Sequence, residues 1–138
     1  MTPTFHLQCS SNVMMKHFDR GWDHQVLITK LAAAMLHNAR ELQCTRFAML
    51  DDIREWPVRS PDEIKLSHET YVRLAAMGLS HCALCVNDIA LTKWMMTKII
   101  PPIVEVAFFN QLSECKNWLA AHGYDLEFGK KQSYPVEV

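Results

Sequence analysis

Two adjacent carboxylates are the strongest candidate for a chemical site in this sequence. Asp51 and Asp52 directly follow the apolar run Phe47–Leu50. If that run is a strand buried by helices on both faces, the aspartates lie at the carboxyl edge of a sheet, where open α/β sheets bind ligands. Neighbouring carboxylates also repel each other, which can raise one pKa and create an acid–base pair. We therefore place the core of a candidate ligand- or partner-binding site at Asp51 and Asp52.

Three residues of the segment that follows complete this candidate site, namely Arg54, Trp56 and Ser60. Arg54 is close enough in sequence to pair with an aspartate, so a loop aspartate that caps backbone amides and bridges to Arg54 is the alternative interpretation. We expect Trp56 to be partly exposed, and an exposed tryptophan is a common anchor of interfaces. Ser60 is first a predicted helix cap, and because a helix N-terminus favours an anion, phosphorylation there stays open.

The cysteines and histidines predict neither a metal site nor a cofactor. Cys82 and Cys85 have CxxC spacing, but residues three apart on a strand point to opposite faces, so these thiols neither chelate one metal nor form a disulfide. The odd total of five cysteines favours free thiols in a reducing compartment. Seven histidines are present, yet no pair has HxxxH or HExxH spacing.

Length and charge exclude several classes of function. The 138 residues predict a single domain over 1–138, with a core at about 5–122 and a C-terminal tail at 123–138. A net charge of −1 without a basic block argues against nucleic-acid binding. No apolar stretch approaches the roughly 20 residues of a membrane span. The first ten residues lack a secretion signal, so we expect a cytoplasmic protein.

The elements that must position the candidate residues alternate between strands and helices. The pattern predicts the order β-β-α-β-α-β-α-β-α, an α/β fold with a mainly parallel sheet that begins with an antiparallel hairpin. The first strand is predicted to be an edge, and the third and fourth strands to be the most buried. Along the chain, the strands are predicted at 5–10, 13–18, 47–50, 82–86 and 103–109, and the helices at about 23–42, 61–77, 91–100 and 112–119.

Three short segments resemble the SpoIIAA-like group of bacterial domains, which is related to the STAS fold of anti-sigma-factor antagonists. They are Gly21-Trp22-Asp23, Phe47-Ala48-Met49-Leu50-Asp51, and Val106-Ala107-Phe108-Phe109-Asn110 followed by Trp118-Leu119. The resemblance implies this small α/β fold and no catalytic signature. Antagonists of that fold carry a phosphorylatable serine soon after the aspartate-ended strand. Here the loop is longer, and its first hydroxyl belongs to Ser60.

The sequence therefore favours a non-enzymatic STAS-like domain that acts through protein–protein or small-ligand binding, with no catalytic residues. The SpoIIAA-like group is also placed near SEC14-type lipid-binding domains. That side of the resemblance implies an alternative, a carrier of an apolar or lipid ligand, which needs a closed cavity lined by Leu91, Met95 and Met96. A second alternative is an enzyme that uses Asp51 or Asp52. The Met-rich third helix and the apolar stretch Ile99–Ile103 also predict a homodimer.

Overall fold

A computed structural model describes residues 4–19, 25–42, 44–55 and 60–135. The predicted α/β order is confirmed, and one further strand follows the last helix. The strands are β1 (Thr4–Cys9), β2 (Val13–Phe18), β3 (Phe47–Asp52), β4 (Leu79–Cys85), β5 (Glu105–Phe109) and β6 (Gln132–Pro135). The helices are α1 (Gln25–Glu41), α2 (Pro61–Ala76), α3 (Ile89–Met96) and α4 (Leu112–Ala121).

The six strands form one sheet in the order β5-β4-β3-β2-β1-β6. Strands β2 to β5 pair in parallel, whereas β1 pairs antiparallel with both β2 and β6. The prediction that β1 is an edge strand is therefore wrong, because β6 covers it. The local sequence does not predict β6, because this strand has only four residues and its aromatic side chain packs against a residue that is distant in sequence. Tyr134 stacks on Phe5 with ring centroids 4.7 Å apart.

The two faces of the sheet carry separate cores. Helices α1, α2 and α3 cover one face, where Phe5, Met14 and Met49 are buried. Helix α4 and the segment after it cover part of the other face, where Val13, Leu50, Cys115, Leu119 and Tyr124 pack together. Cys82 belongs to the first core and Cys85 to the second, and both thiols are free. The prediction that these cysteines face opposite ways is confirmed.

Helix α2 begins and ends as its sequence predicts. Pro61 is its first residue, and the Ser60 side chain accepts a hydrogen bond from the Glu63 N–H at 3.3 Å. After the helix, Gly78 adopts a φ of +118°, and a Cβ there would lie 2.5 Å from the Thr45 carbonyl oxygen. Glycine at this position lets the chain turn tightly into β4.

Strand β3 is longer than predicted, and this changes the position of the candidate carboxylates. It continues through Asp51 and Asp52, both of which are buried. Successive strand residues point to opposite faces, so the two aspartates enter different cores. Helix α3 is shorter than predicted and begins after Asp88, whose side chain caps the Leu91 N–H at 3.1 Å.

Across the described part of the chain, no helix combines the length and the apolar composition that crossing a membrane requires.

Candidate functional site

Asp51 lies beneath α1 and α2, in a fully buried polar cluster. The Tyr71 hydroxyl donates a hydrogen bond to its Oδ2, and the Cys82 Sγ lies 3.6 Å from the same oxygen. Lys16, opposite Asp51 in the parallel register of β2 and β3, places its Nζ 3.6 Å from Oδ2. The other carboxylate oxygen, Oδ1, has no hydrogen-bond partner. Asp51 is thus fully buried and pairs with Lys16 in the core.

Lys16 and Tyr71 complete this cluster. The Lys16 Nζ donates to the Tyr71 hydroxyl at 3.0 Å and lies 3.7 Å from the Met35 sulfur. Burial and the neighbouring Asp51 charge raise the pKa of Tyr71, which keeps the phenol protonated as a donor. A cavity of about 20 Å³ beside Lys16 and Tyr71 has room for about one water molecule. The cluster is therefore polar and closely packed.

Asp52 lies on the opposite face, at the carboxyl ends of β2 and β3. Arg54 holds it in a two-point ion pair, with Nε 2.8 Å from Oδ1 and Nη2 2.8 Å from Oδ2. The His17 Nδ1 donates to Oδ2 at 2.9 Å. Burial acts to raise the pKa of Asp52, but the hydrogen bonds from Arg54 and His17 and the Arg54 charge outweigh it and hold the pKa well below its usual range. The interpretation of an aspartate that bridges to Arg54 is confirmed.

A groove of about 200 Å³ opens beside Asp52, and we call it the carboxyl-edge groove. It is lined by His6, Gln8, Met15, His17, Asp52, Leu112 and Lys131. His6 is fixed by Asp19, 2.9 Å from its Nε2, and by the Ser133 hydroxyl, 2.8 Å from its Nδ1. The groove therefore has an apolar floor and oriented imidazole rings at its rim.

The five predicted site residues do not form one cluster. Asp52 and Arg54 are in direct contact, whereas Asp51 faces the other core. Ser60 is half-buried and caps α2. Trp56 lies outside the described residues, so its predicted exposure stays a prediction. The structure thus leaves Asp52 and Arg54 beside the groove and separates Asp51 from it.

A second polar cluster was missed by the sequence reasoning. His81, Glu105 and His122 bring their ligand atoms within 4.8 Å of one another at the amino edge of the sheet. They come from the starts of β4 and β5 and from the residue that follows α4. Spacing rules for metal sites search within one helix or loop, so they do not detect a set assembled by three elements.

The apolar residues around α3 are divided between core and surface. Met95 and Met96 are buried, whereas Leu91 is 54% exposed. A side chain that exposed does not line a closed cavity, so these three residues do not enclose the cavity that the carrier alternative requires. Trp94 and Ile103 are also exposed on this side of the molecule.

Comparisons of this chain with protein-family models, with curated proteins and with solved structures find no match. The fold class and the geometry of the described side chains are therefore the basis for proposing a function.

Proposed function

We propose that this chain is a non-catalytic regulatory domain of the SpoIIAA-like, STAS-related type that binds a small ligand in the carboxyl-edge groove. The antiparallel hairpin followed by alternating helices and parallel strands supports this relationship at the level of topology. The position of the groove supports the ligand-binding role, because α/β sheets bind ligands beyond the carboxyl ends of their strands.

The observation that carries the proposal of a non-catalytic role is that both carboxylate oxygens of Asp52 already accept hydrogen bonds. Arg54 and His17 donate three side-chain hydrogen bonds and one backbone hydrogen bond to them, so the Asp52 side chain is held in place beside the groove. A carboxylate with so low a pKa is a weak base, which disfavours proton abstraction at pH 7. The enzyme alternative would otherwise depend on Asp51, which is fully buried on the other face.

The lining of the groove favours a small anion with an apolar body. Met15 and Leu112 supply apolar contact, while the Lys131 ammonium supplies charged donors at the rim. The volume of about 200 Å³ lies below the usual range for drug-sized ligands, so the occupant has about one ring. An aromatic or short branched carboxylate of the size of benzoate meets these requirements.

Titration with benzoate, followed by amide chemical shifts, tests this proposal. We expect saturable shifts around His17 and Leu112, and at least about 10-fold weaker binding of benzyl alcohol, which lacks the anion. Lys131→Met should weaken benzoate binding, because it removes the ammonium at the rim of the groove. Lys130→Met is the matched control, because the neighbouring Lys130 does not line the groove.

Three outcomes contradict the proposal. The first is that benzoate and benzyl alcohol shift the same resonances with equal affinity, because the groove would then not recognise the anion. The second is that Lys130→Met weakens binding as much as Lys131→Met, which would point to a general effect of surface charge. The third is the absence of any benzoate shift near the groove, which would reject this ligand class.

A further inference from the structure

The His81, Glu105 and His122 cluster is a consequence of strand register and helix direction. His81 and Glu105 are direct neighbours in the parallel pairing of β4 with β5. Helix α4 starts at the carboxyl edge, runs back across the sheet and delivers His122, its C-cap residue, to the amino edge. The cluster therefore lies at the opposite edge of the sheet from the carboxyl-edge groove and shares no residue with it.

The three ligand atoms of the cluster lie close enough together to share one metal ion. The Glu105 Oε2 lies 2.8 Å from the His81 Nε2 and 3.6 Å from the His122 Nε2. Tetrahedral Zn²⁺ with bonds of about 2.0–2.1 Å holds its ligand atoms about 3.4 Å apart. All three atoms lie within 4.8 Å of one another, so side-chain rotation toward this spacing would let one ion contact all of them.

Neighbouring groups already orient both imidazole rings. The His122 Nδ1–H donates to the Trp118 carbonyl at 2.8 Å, so the neutral ring presents an unprotonated Nε2 to the cluster. The His81 Nδ1 lies 2.7 Å from the Tyr124 hydroxyl. When Nε2 binds a metal, Nδ1 carries the ring proton, and its N–H can donate a hydrogen bond to the Tyr124 oxygen. Metal-bound histidines almost always have an outer partner of this kind, which fixes the tautomer and the ring orientation.

The cluster is partly open to solvent and has a positively charged neighbour, Arg46. The Glu105 carboxylate is 62% exposed and His122 is about one-third exposed, so an ion can enter from solvent and retain water. Arg46 opposes a cation, because its Nη2 lies 3.4 Å from the His81 Nδ1 and its guanidinium stacks on Tyr124.

We propose that His81, Glu105 and His122 bind one divalent transition-metal ion of the Zn²⁺ class, with water completing its coordination. Imidazole ligands favour Zn²⁺, Cu²⁺, Ni²⁺ and Fe²⁺ over Mg²⁺ and Ca²⁺. Three protein ligands with an open position form a solvent-accessible site rather than a closed structural one. The proposal is independent of the ligand proposed for the carboxyl-edge groove.

Zn²⁺ titration of the full chain tests the site. After treatment with a chelator and a phosphine reductant, the protein competes with a chromophoric chelator for added Zn²⁺. We expect one strong site per chain. Glu105→Gln and His122→Asn should each weaken it by more than about 10-fold, the smallest loss produced even by outer-shell partners of a metal. His37→Asn, a change in an exposed histidine of α1, should leave the affinity unchanged.

The variants are chosen so that folding and competing thiols do not obscure the result. Glu105 and His122 are partly exposed, and circular dichroism in chelator checks that both variants are folded. Cys9 and Cys44 are the partly exposed thiols among the five cysteines, so Cys9→Ser and Cys44→Ser are measured too. Bound Co²⁺ provides a second readout, because a thiolate ligand adds a sulfur-to-cobalt charge-transfer band in the near ultraviolet.

Each result decides the proposal. A one-to-one site that Glu105→Gln and His122→Asn weaken, without a charge-transfer band, supports it. Zn²⁺ binding that survives both Glu105→Gln and His122→Asn overturns it. Zn²⁺ binding that is lost in Cys9→Ser or Cys44→Ser, in a protein whose Co²⁺ form shows the charge-transfer band, also overturns it. So does a wild-type chain that takes no Zn²⁺ from the competing chelator.

Discussion

Asp51→Asn should destabilise this protein far more than a typical single substitution. The amide has nearly the shape of the carboxylate, so the change removes a charge and leaves the packing intact. Lys16 then keeps its ammonium in the core, where it is 5% exposed and contacts the Tyr71 hydroxyl and the Met35 sulfur. Removing one partner of a buried ion pair costs about 3–5 kcal/mol, because the remaining charge is left uncompensated.

The size of this effect makes it easy to measure. At 138 residues, a loss of 1 kcal/mol lowers the melting temperature by roughly 3–5 °C. Asp51→Asn should therefore lower it by about 10–20 °C, and equilibrium urea unfolding followed by tryptophan fluorescence should give the free energy directly. Asp52→Asn is the matched control, and it should cost less because its partner Arg54 is one-third exposed and can be hydrated.

A double-mutant cycle separates the ion pair from the packing. Lys16→Met combined with Asp51→Leu removes both charges, so the double variant should be more stable than the sum of the single losses predicts. An unfolding free energy of Asp51→Asn within about 1 kcal/mol of the wild-type value would refute the importance of this ion pair. So would a double variant whose loss of unfolding free energy equals the sum of the two single losses.

Four further outcomes are expected. Because the pKa of Asp52 is lowered on folding, its stabilisation is complete above the unfolded pKa of about 3.9 and is lost as pH falls through the folded value. The stability difference between wild type and Asp52→Asn should therefore be constant above about pH 5 and shrink below pH ~4 in acid titrations. Native alkylation, read by mass spectrometry, should modify Cys44 rapidly and leave the three buried thiols unmodified, since burial and Cys85 raise the pKa of Cys115 to about 12. Gly78→Ala should cost about 1–3 kcal/mol in urea unfolding, because alanine at a φ of +118° also meets the Thr45 carbonyl. Light scattering should detect the predicted homodimer and its dissociation by Ile103→Lys, a change at an 81% exposed side chain, whereas a monomeric wild type would reject the dimer.

Most elements of this fold could be predicted because they have strong local signals, which the short strand β6 lacks. Such signals are the alternation of apolar and polar residues in β1, the apolar stripe of α1 and the Ser60–Pro61–Glu63 start of α2. The end of β3 could not be predicted, because an aspartate after an apolar run normally marks a loop. Asp51 remains in the strand because Lys16 and Tyr71, which are distant in sequence, compensate its charge. A compensation of this kind depends on tertiary contacts that the local pattern does not contain.

The proximity of His81, Glu105 and His122 could have been predicted with one more step of topological reasoning. In a unit in which a helix follows a parallel strand, the end of the helix returns to the edge where the strand begins. His122 at the end of α4 must therefore come close to the start of β5 and of its neighbour β4. The sequence predicts that β4 begins at Cys82 and β5 at Ile103, so His81 falls outside its strand and Glu105 within its own, whereas β4 begins at Leu79 and β5 at Glu105. Because a shift of one or two residues in a strand start changes which side chains are neighbours, the accuracy of strand bounds limits the prediction of sites at a sheet edge.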